Sequence, residues 1–176
     1  LALSVTENEN VSGVYFVDGE EYDPQSENGI WLSDRYANAN DISLGDKMTL
    51  VYKNFDFVGS VIGLIKASED MICVRDESQL MPDYSTYGYA YISPKMYEKT
   101  LGTSYYPQLN VISKEDKKDF MESAEKALGR TTLILTKDEN ISYSGSKGEI
   151  QEGQTMGSVL PVLFLLIAVL TMVTTM

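Results

Sequence analysis

The sequence predicts an α+β domain, in which a mixed β-sheet has a few helices packed on it, followed by a C-terminal transmembrane helix. Two observations predict the domain. Short β-branched segments recur along most of the chain, and segments with helical spacing lie between them. The order strand, helix, strand over residues 108–136 indicates a mixed sheet with helices against it. The third observation is that residues 155–176 contain no Asp, Glu, Lys, Arg, Asn or Gln.

The C-terminal segment is long enough to cross a membrane as a helix. At about 1.5 Å per residue its helix would reach roughly 33 Å, against a bilayer hydrocarbon core of about 30 Å. The apolar residues between Val159 and Leu170 favour insertion by about 4 kcal/mol, and Pro161 is expected in the first helical turn, where proline is tolerated. A core helix of a soluble protein would carry a polar stripe, which is missing here. We therefore predict a transmembrane helix over residues 154–176, truncated at its end.

Residues 1–153 are predicted to form one extracellular domain, since this length suits a single hydrophobic core. Within it, residues 137–153 are polar and rich in Ser and Gly, which predicts a juxtamembrane linker. The net charge of −12 argues against nucleic acid as a partner, because such binding requires clustered Lys and Arg.

Alternation, turn residues and caps predict the individual elements. The predicted helices cover residues 33–40, 95–101 and a segment that begins after Ser113 and ends at Gly129. The predicted strands cover residues 1–6, 14–17, 29–32, 47–52, 55–65, 71–75, 89–93, 108–112 and 131–136, the fourth and fifth of these forming a hairpin.

The third helix has the clearest apolar stripe, made by Phe120, Ala124 and Leu128 together with Ala127. We expect this stripe to be buried against a sheet. The strand residues expected to face it are Val61, Ile62, Leu64 and Ile134.

Catalytic and cofactor chemistry has little support in the sequence. The chain has no histidine, which removes the commonest general base and metal ligand. Ser144 and Lys147 match an S-x-x-K pattern, but without the companion motifs of serine penicillin-binding enzymes. No glycine-rich phosphate loop is present, and the acidic loop 20–28 lacks the ligand pattern of an EF-hand. We predict no enzymatic activity, no cofactor and no metal, and we expect Cys73 to be a buried apolar residue on a strand.

Tyrosines are concentrated between residues 84 and 106. Tyr89 and Tyr91 are two residues apart on a predicted strand and are expected in the core. The loop tyrosines have two open interpretations, as core residues or as partner contacts, since tyrosine combines apolar area with a hydroxyl group. These candidate contact residues are Tyr84, Tyr87, Tyr105 and Tyr106.

Residues 29–66 show an ordered pattern, in which a short strand and helix precede a Leu44-Gly45-Asp46 turn and a hairpin ending in a valine-glycine strand. This pattern resembles the extracellular domain of FtsX-like (MacB-type) permeases of ABC transporters. Residues 155–176 are similar to the second transmembrane helix of the large permeases of that family.

The resemblance implies a non-catalytic outer domain of a bacterial cell-membrane permease. It would couple the motion of a cytoplasmic ATPase to export, extraction or signalling at the outer face of the membrane. The implied partners are the cytoplasmic ABC ATPase subunit, a second permease half or subunit, and membrane lipid. The chain would then begin in mid-domain and continue beyond Met176 with Lys or Arg.

Two other classes of protein remain open from the sequence. A membrane-anchored adhesin or receptor ectodomain would end soon after the helix, whereas the permease would continue with further membrane helices. An outward-facing enzyme without histidine is the other alternative.

Overall fold

The structure is a computed structural model that describes residues 1–7, 10–76, 78–79, 81–104 and 108–175. Its strands are β1 Ala2–Val5, β2 Val14–Gly19, β3 Gly29–Ser33, β4 Lys47–Tyr52, β5 Phe55–Ala67 and β6 Tyr89–Ile92. Its α-helices are α1 Asp34–Ala39, α2 Pro94–Leu101, α3 Lys117–Leu128 and α4 Ile141–Thr175. Two 3-10 helices cover Ser68–Asp70 and Lys137–Glu139.

In the described residues the strands form one mixed sheet, which confirms the predicted fold class. The strand order is β1-β6-β3-β5-β2, and β4 also pairs with β5. The β1–β6 and β3–β5 pairs are parallel and the remaining pairs are antiparallel. Ser60 of β5 pairs with Gly29 of β3 and with Lys47 of β4, so these two neighbours lie on opposite edges of β5. The predicted hairpin is therefore confirmed as β4 and β5.

The long strand β5 is the centre of the sheet. Its first half pairs with β4 and its second half with β2, both along the edge opposite β3. The register with β3 shifts between Ile30 and Trp31, opposite Val61 and Gly63. Such a bulge bends the strand. Gly59 and Gly63 within β5 suit such a bend.

One face of the sheet is covered by α1 and α2. Pro94 begins α2 and Gly102, with φ 72°, ends it, as the sequence predicts. The Ser93 hydroxyl caps this helix by accepting a hydrogen bond from the Met96 amide at 2.9 Å. The buried residues of this face are Ile30, Leu32, Ala37, Leu50, Phe57, Val61, Ala90, Ile92 and Met96.

Loops cover the other face of the sheet. Its buried residues are Tyr22, Trp31, Ile65, Ala67, Cys73, Tyr89 and Tyr91. The core positions predicted for Tyr89 and Tyr91 are confirmed, since they are 3% and 5% exposed. Cys73 is buried as expected, although its segment, residues 71–75, is not a strand.

For residues 108–136, the predicted strands and the predicted burial of the helix against a sheet are wrong. Helix α3 forms and ends at Gly129, but it has no buried residue, and Phe120 and Ala124 are only partly buried. Leu128 is 55% exposed. The flanking segments 108–112 and 131–136 contain no strand.

The reason is that a strand needs the free backbone edge of another strand, which local sequence does not supply. Within the described residues β1, β2 and β4 each keep one open edge, yet neither of the two flanking segments pairs with any of them. The apolar residues of the two flanking segments therefore remain largely exposed. Those of them more than 60% exposed are Leu109, Ile112, Leu133 and Leu135.

Helix α4 begins earlier than predicted. Residues 141–153, predicted as part of a linker, are its first turns, and every described residue from 149 onwards is exposed. By length and composition α4 can cross a membrane. Pro161 consequently lies inside the helix rather than in its first turn. Its missing N–H leaves the carbonyl of Gly157 without the usual helical donor.

Candidate functional site

The first two turns of α4 pack against the chain that leaves the central strand β5. Ser142 and Ser146 of α4 are 7% and 8% exposed, whereas every described residue of the helix from 149 onwards is exposed. The surface that they contact follows β5 directly in sequence. We call this contact the joint, and define it as the 3-10 helix Ser68–Asp70 and Ile72 on the domain side, with Ser142, Gly145 and Ser146 on α4.

Hydrogen bonds to the main chain of Ile72 fasten the joint. The Ile72 amide donates to Ser142 Oγ at 2.7 Å, and the Ser142 hydroxyl lies 3.4 Å from the Ile72 carbonyl oxygen, to which it donates. Ser146 Oγ donates to the Ser142 carbonyl at 2.9 Å, which satisfies this buried hydroxyl inside the helix. Only four residues separate Ile72 from the end of β5, so the helix is attached close to the centre of the sheet.

Polar contacts also hold the start of α4. Asn140 Oδ1 accepts a hydrogen bond from the Tyr143 amide at 3.0 Å and so caps the helix. Before it, Thr136 and Glu139 form a capping box around the 3-10 helix Lys137–Glu139. Lys147 of α4 pairs with Asp138 at 3.0 Å. These contacts set the direction in which α4 leaves the domain.

Glu139 precedes α4 and is held by several hydrogen-bond donors. Lys117 Nζ at the start of α3 lies 2.6 Å from Glu139 Oε1, and the Thr136 amide donates to Glu139 Oε2 at 2.7 Å. These donors, with the lysine first, lower the pKa of Glu139 to about 2. The pair ties α3 to the chain that precedes α4.

A cleft of about 370 Å³ lies beside the joint. Its lining residues are Glu69, Asp70, Ile72, Val74, Asp76, Leu135, Glu139, Asn140 and Ser142. Four of these are acids. Burial, with a smaller contribution from the charge of Glu69, raises the pKa of Asp70 to about 6. The half-buried carboxyl group of Asp70 therefore lies in the same cleft as Ser142, which holds α4.

The structure places two of the four candidate tyrosines, whereas Tyr105 and Tyr106 lie outside the described residues. Tyr84 and Tyr87 are partly buried and pack against the buried residues of the sheet face that loops cover. Each thus combines a core contact with an accessible part, and partner contact by these side chains stays a prediction. Neither tyrosine lines the cleft beside the joint.

Tyr84 is fixed by α1. Arg35 Nη1 donates to Tyr84 Oη at 2.7 Å, and the Asn40 side chain donates to the Tyr84 carbonyl at 3.2 Å. The hydrogen bond with the Tyr84 hydroxyl, followed by the charge interaction with the same tyrosine, raises the pKa of the Arg35 guanidinium. These contacts attach Tyr84 to α1 and to the residue that follows it.

No metal centre is found in the part of the chain that the structure describes, where no three His, Cys, Asp or Glu side chains are grouped to hold an ion. Ser144 and Lys147, the S-x-x-K pair, lie in the first turns of α4. Lys147 is engaged with Asp138 and lies 5.9 Å from the ring centroid of Tyr143.

Comparison with known proteins returns no match: no protein-family model, no curated protein and no solved structure is similar to this chain.

Sequence reasoning missed the joint. Its signal is present, because Ser142 and Ser146 are four residues apart and Gly145 lies on the same side of a helix. The glycines and serines of this segment favoured a linker instead. Small residues on one helical face allow close approach of another backbone, and that interpretation would have located the contact.

Proposed function

We propose that this chain is the non-catalytic extracellular domain of an FtsX-like permease subunit of an ABC transporter, with one of its membrane helices. The domain would couple movement driven by a cytoplasmic ATPase to export, extraction or signalling at the outer face of the membrane. The observation that carries this proposal is the joint, where Ser142 of α4 is hydrogen-bonded to Ile72 directly after β5.

The geometry suits transmission of movement. Helix α4 continues for 35 residues from the joint through the apolar segment, a length of about 52 Å at 1.5 Å per residue. A continuous helix resists bending more than a flexible linker would. Displacement of the membrane segment would therefore reach the sheet through the joint instead of being absorbed between them.

The partners follow from the same proposal. The membrane lipid would surround the apolar part of α4, while a second permease half or subunit and the ATPase would meet other parts of the protein. Tyr84, which is hydrogen-bonded to Arg35, and Tyr87 would be partner contacts on the domain. The net charge of −12 disfavours nucleic acid as a partner.

Purification of the full-length protein from its native membrane tests the assignment. We expect a subunit with a phosphate-binding loop to co-purify and to hydrolyse ATP in the complex. Gly145→Leu in the joint should reduce the coupling of ATP hydrolysis to movement of the domain, measured as nucleotide-dependent distance changes between spin labels. Gly148→Leu on the same helix is the matched control. If no such ATPase subunit co-purifies, the permease assignment is overturned and the membrane-anchored adhesin or receptor is favoured.

Orientation is tested by cysteine labelling in intact cells, after Cys73→Ser. Ser146 is buried in the joint, so a labelling reagent would reach a cysteine there poorly. The labelled positions are therefore Gln151→Cys and Thr175→Cys, which are exposed. We expect an impermeant reagent to label position 151 and not position 175. The reverse pattern would place the domain inside the cell and contradict the proposal.

A further inference from the structure

Residues 131–136, between α3 and the start of α4, have the exposure pattern of a strand that lacks a neighbouring strand. Leu133 and Leu135 are 88% and 65% exposed, whereas Thr132 and Ile134 are partly buried. A period of two is that of an extended chain, and Thr136 at the end of the segment has extended φ and ψ angles of −84° and 164°. The segment is therefore strand-like in conformation as well as in sequence.

The main chain of this segment has one engaged edge and one free edge. In an extended chain the N–H and C=O groups of alternate residues point to opposite edges. On one edge, the amides of Thr132 and Thr136 donate to glutamate side chains at 3.3 Å and 2.7 Å. On the other edge, no hydrogen bond to the main chain of Leu133 or Leu135 is found in the described residues. This second edge is open to pairing with another strand.

The sequence of the segment is self-complementary. Residues 132–136, Thr-Leu-Ile-Leu-Thr, read the same in both directions and carry no charge. Antiparallel pairing of two copies about Ile134 places Leu133 of one copy opposite Leu135 of the other, and each such pair exchanges both of its main-chain hydrogen bonds. These bonds use the groups of the free edge. The two Ile134 residues then lie opposite each other on the two-fold axis.

The charges that flank the segment are also complementary. Arg130 precedes it, is exposed, and belongs to none of the ion pairs found in the described residues. The turn that follows carries Asp138, whose side chain is 73% exposed, while Lys137 of the same turn lies over the Tyr143 ring, 4.3 Å from its centroid. Antiparallel pairing brings Arg130 of one copy to Asp138 of the other at both ends. Parallel pairing would place Arg130 beside Arg130, so charge favours the antiparallel arrangement.

We propose that residues 131–136 form an interface between two copies of this chain, in which the two segments pair as antiparallel strands about Ile134. The occupant of the free edge is a second copy because the same residues supply both halves of the pair, and such an isologous contact closes at two chains. The interface lies directly before the 3-10 helix Lys137–Glu139 and α4 in the chain. It does not depend on the permease assignment.

Cysteine cross-linking of the full chain in its native membrane, after Cys73→Ser, tests the register. Ile134→Cys places each new thiol opposite its own copy, within the distance that a disulfide requires. Pairing holds the two thiols at an effective concentration in the millimolar range, so we expect the linked dimer to form at least about tenfold faster than with Leu109→Cys. Leu109 is the control because it is 82% exposed and lies on the other flanking segment.

Leu133→Cys and Leu135→Cys distinguish the antiparallel pair from other contacts. Each single variant should link to itself poorly, whereas the two variants co-expressed with different tags should link to each other. Equal self-linking at positions 133, 134 and 135 would show parallel stacking and would overturn the proposal. Linking of Ile134→Cys no faster than that of Leu109→Cys would overturn it too.

Hydrogen exchange of the full chain in detergent micelles measures the same pairing without new thiols. As the protein concentration rises, the amides of Leu133 and Leu135 should become protected, while those of Val111 and Ile112 stay unprotected. Leu133→Asp should abolish both this protection and the cross-linking at position 134, because it puts a charge into the apolar pair. Protection of the amides in β5 verifies that each variant is folded. Unprotected Leu133 and Leu135 amides at the highest concentration would contradict the proposal.

Discussion

Gly145 of α4 lies so close to Ile72 that a Cβ atom at position 145 would be 2.8 Å from Ile72 Cδ1. The missing side chain thus permits the helix to approach the domain. At Gly148, one turn further on, an added Cβ would meet nothing within 4 Å. The two glycines therefore form a matched pair, alike in the helix and different at the joint.

We predict that Gly145→Leu weakens docking of α4 by about 1–3 kcal/mol, because the larger side chain overpacks the contact with Ile72. Gly148→Leu makes the same change in helix propensity without that contact. Exchange of the Ile72 amide measures the difference between them. Equal exchange in the two variants would show that Gly145 has no packing role.

Ser142→Ala is predicted to open the joint without adding bulk. The Ile72 amide loses its acceptor, and an unsatisfied buried N–H costs about 1–3 kcal/mol. Spin-label distances between the domain and α4 should broaden. Ser158→Ala, at an exposed serine of the same helix whose hydroxyl donates to the Thr155 carbonyl, should leave them unchanged. A narrow distance distribution in Ser142→Ala would contradict this prediction.

Gly63→Ala is predicted to destabilise the domain by about 1–3 kcal/mol through overpacking. The added Cβ would lie 2.4 Å from Trp31 Cδ1 and 2.7 Å from the Glu20 carbonyl oxygen. The same tryptophan donates its indole N–H to that carbonyl at 2.9 Å, so neither neighbour can move freely. Urea unfolding followed by fluorescence of the single tryptophan measures the loss, and Gly13→Ala, with open space around it, is the control. Equal midpoints would refute the prediction.

Lys117→Gln is predicted to raise the pKa of Glu139 from about 2 towards its ordinary value of 4.5, because the lysine is the first cause of the lowered value. A lowered pKa means that this interaction stabilises the folded chain above pH 4.5 and is lost as pH falls towards 2. Carbon-13 NMR of the Glu139 carboxyl group follows the titration. Lys118→Gln, one residue along, should have little effect, and an unchanged titration in Lys117→Gln would disprove the assignment of cause.

The sequence was sufficient to predict an element wherever the residues that form and end that element are close together in the chain. The hairpin of β4 and β5 and the helix from Pro94 to Gly102 follow from alternation, turn residues and a cap within a few positions. The candidate site could not be found in this way. Asp70 and Ser142 lie about seventy residues apart in the chain, and only folding brings them to one cleft.

The local sequence by itself determined that α4 is apolar enough to cross a membrane and that the domain has an α+β fold, because both depend on the order of apolar and polar residues within short windows. Tertiary structure alone decided which elements have partners. Segments 108–112 and 131–136 have strand-like sequences, yet in the described residues neither pairs with the open edges of β1, β2 or β4. Ser142, Gly145 and Ser146 resemble a linker in sequence, but their small side chains form a buried contact once Ile72 packs against them. Pairing and packing depend on the surface that another part of the chain presents, and no local pattern encodes that surface.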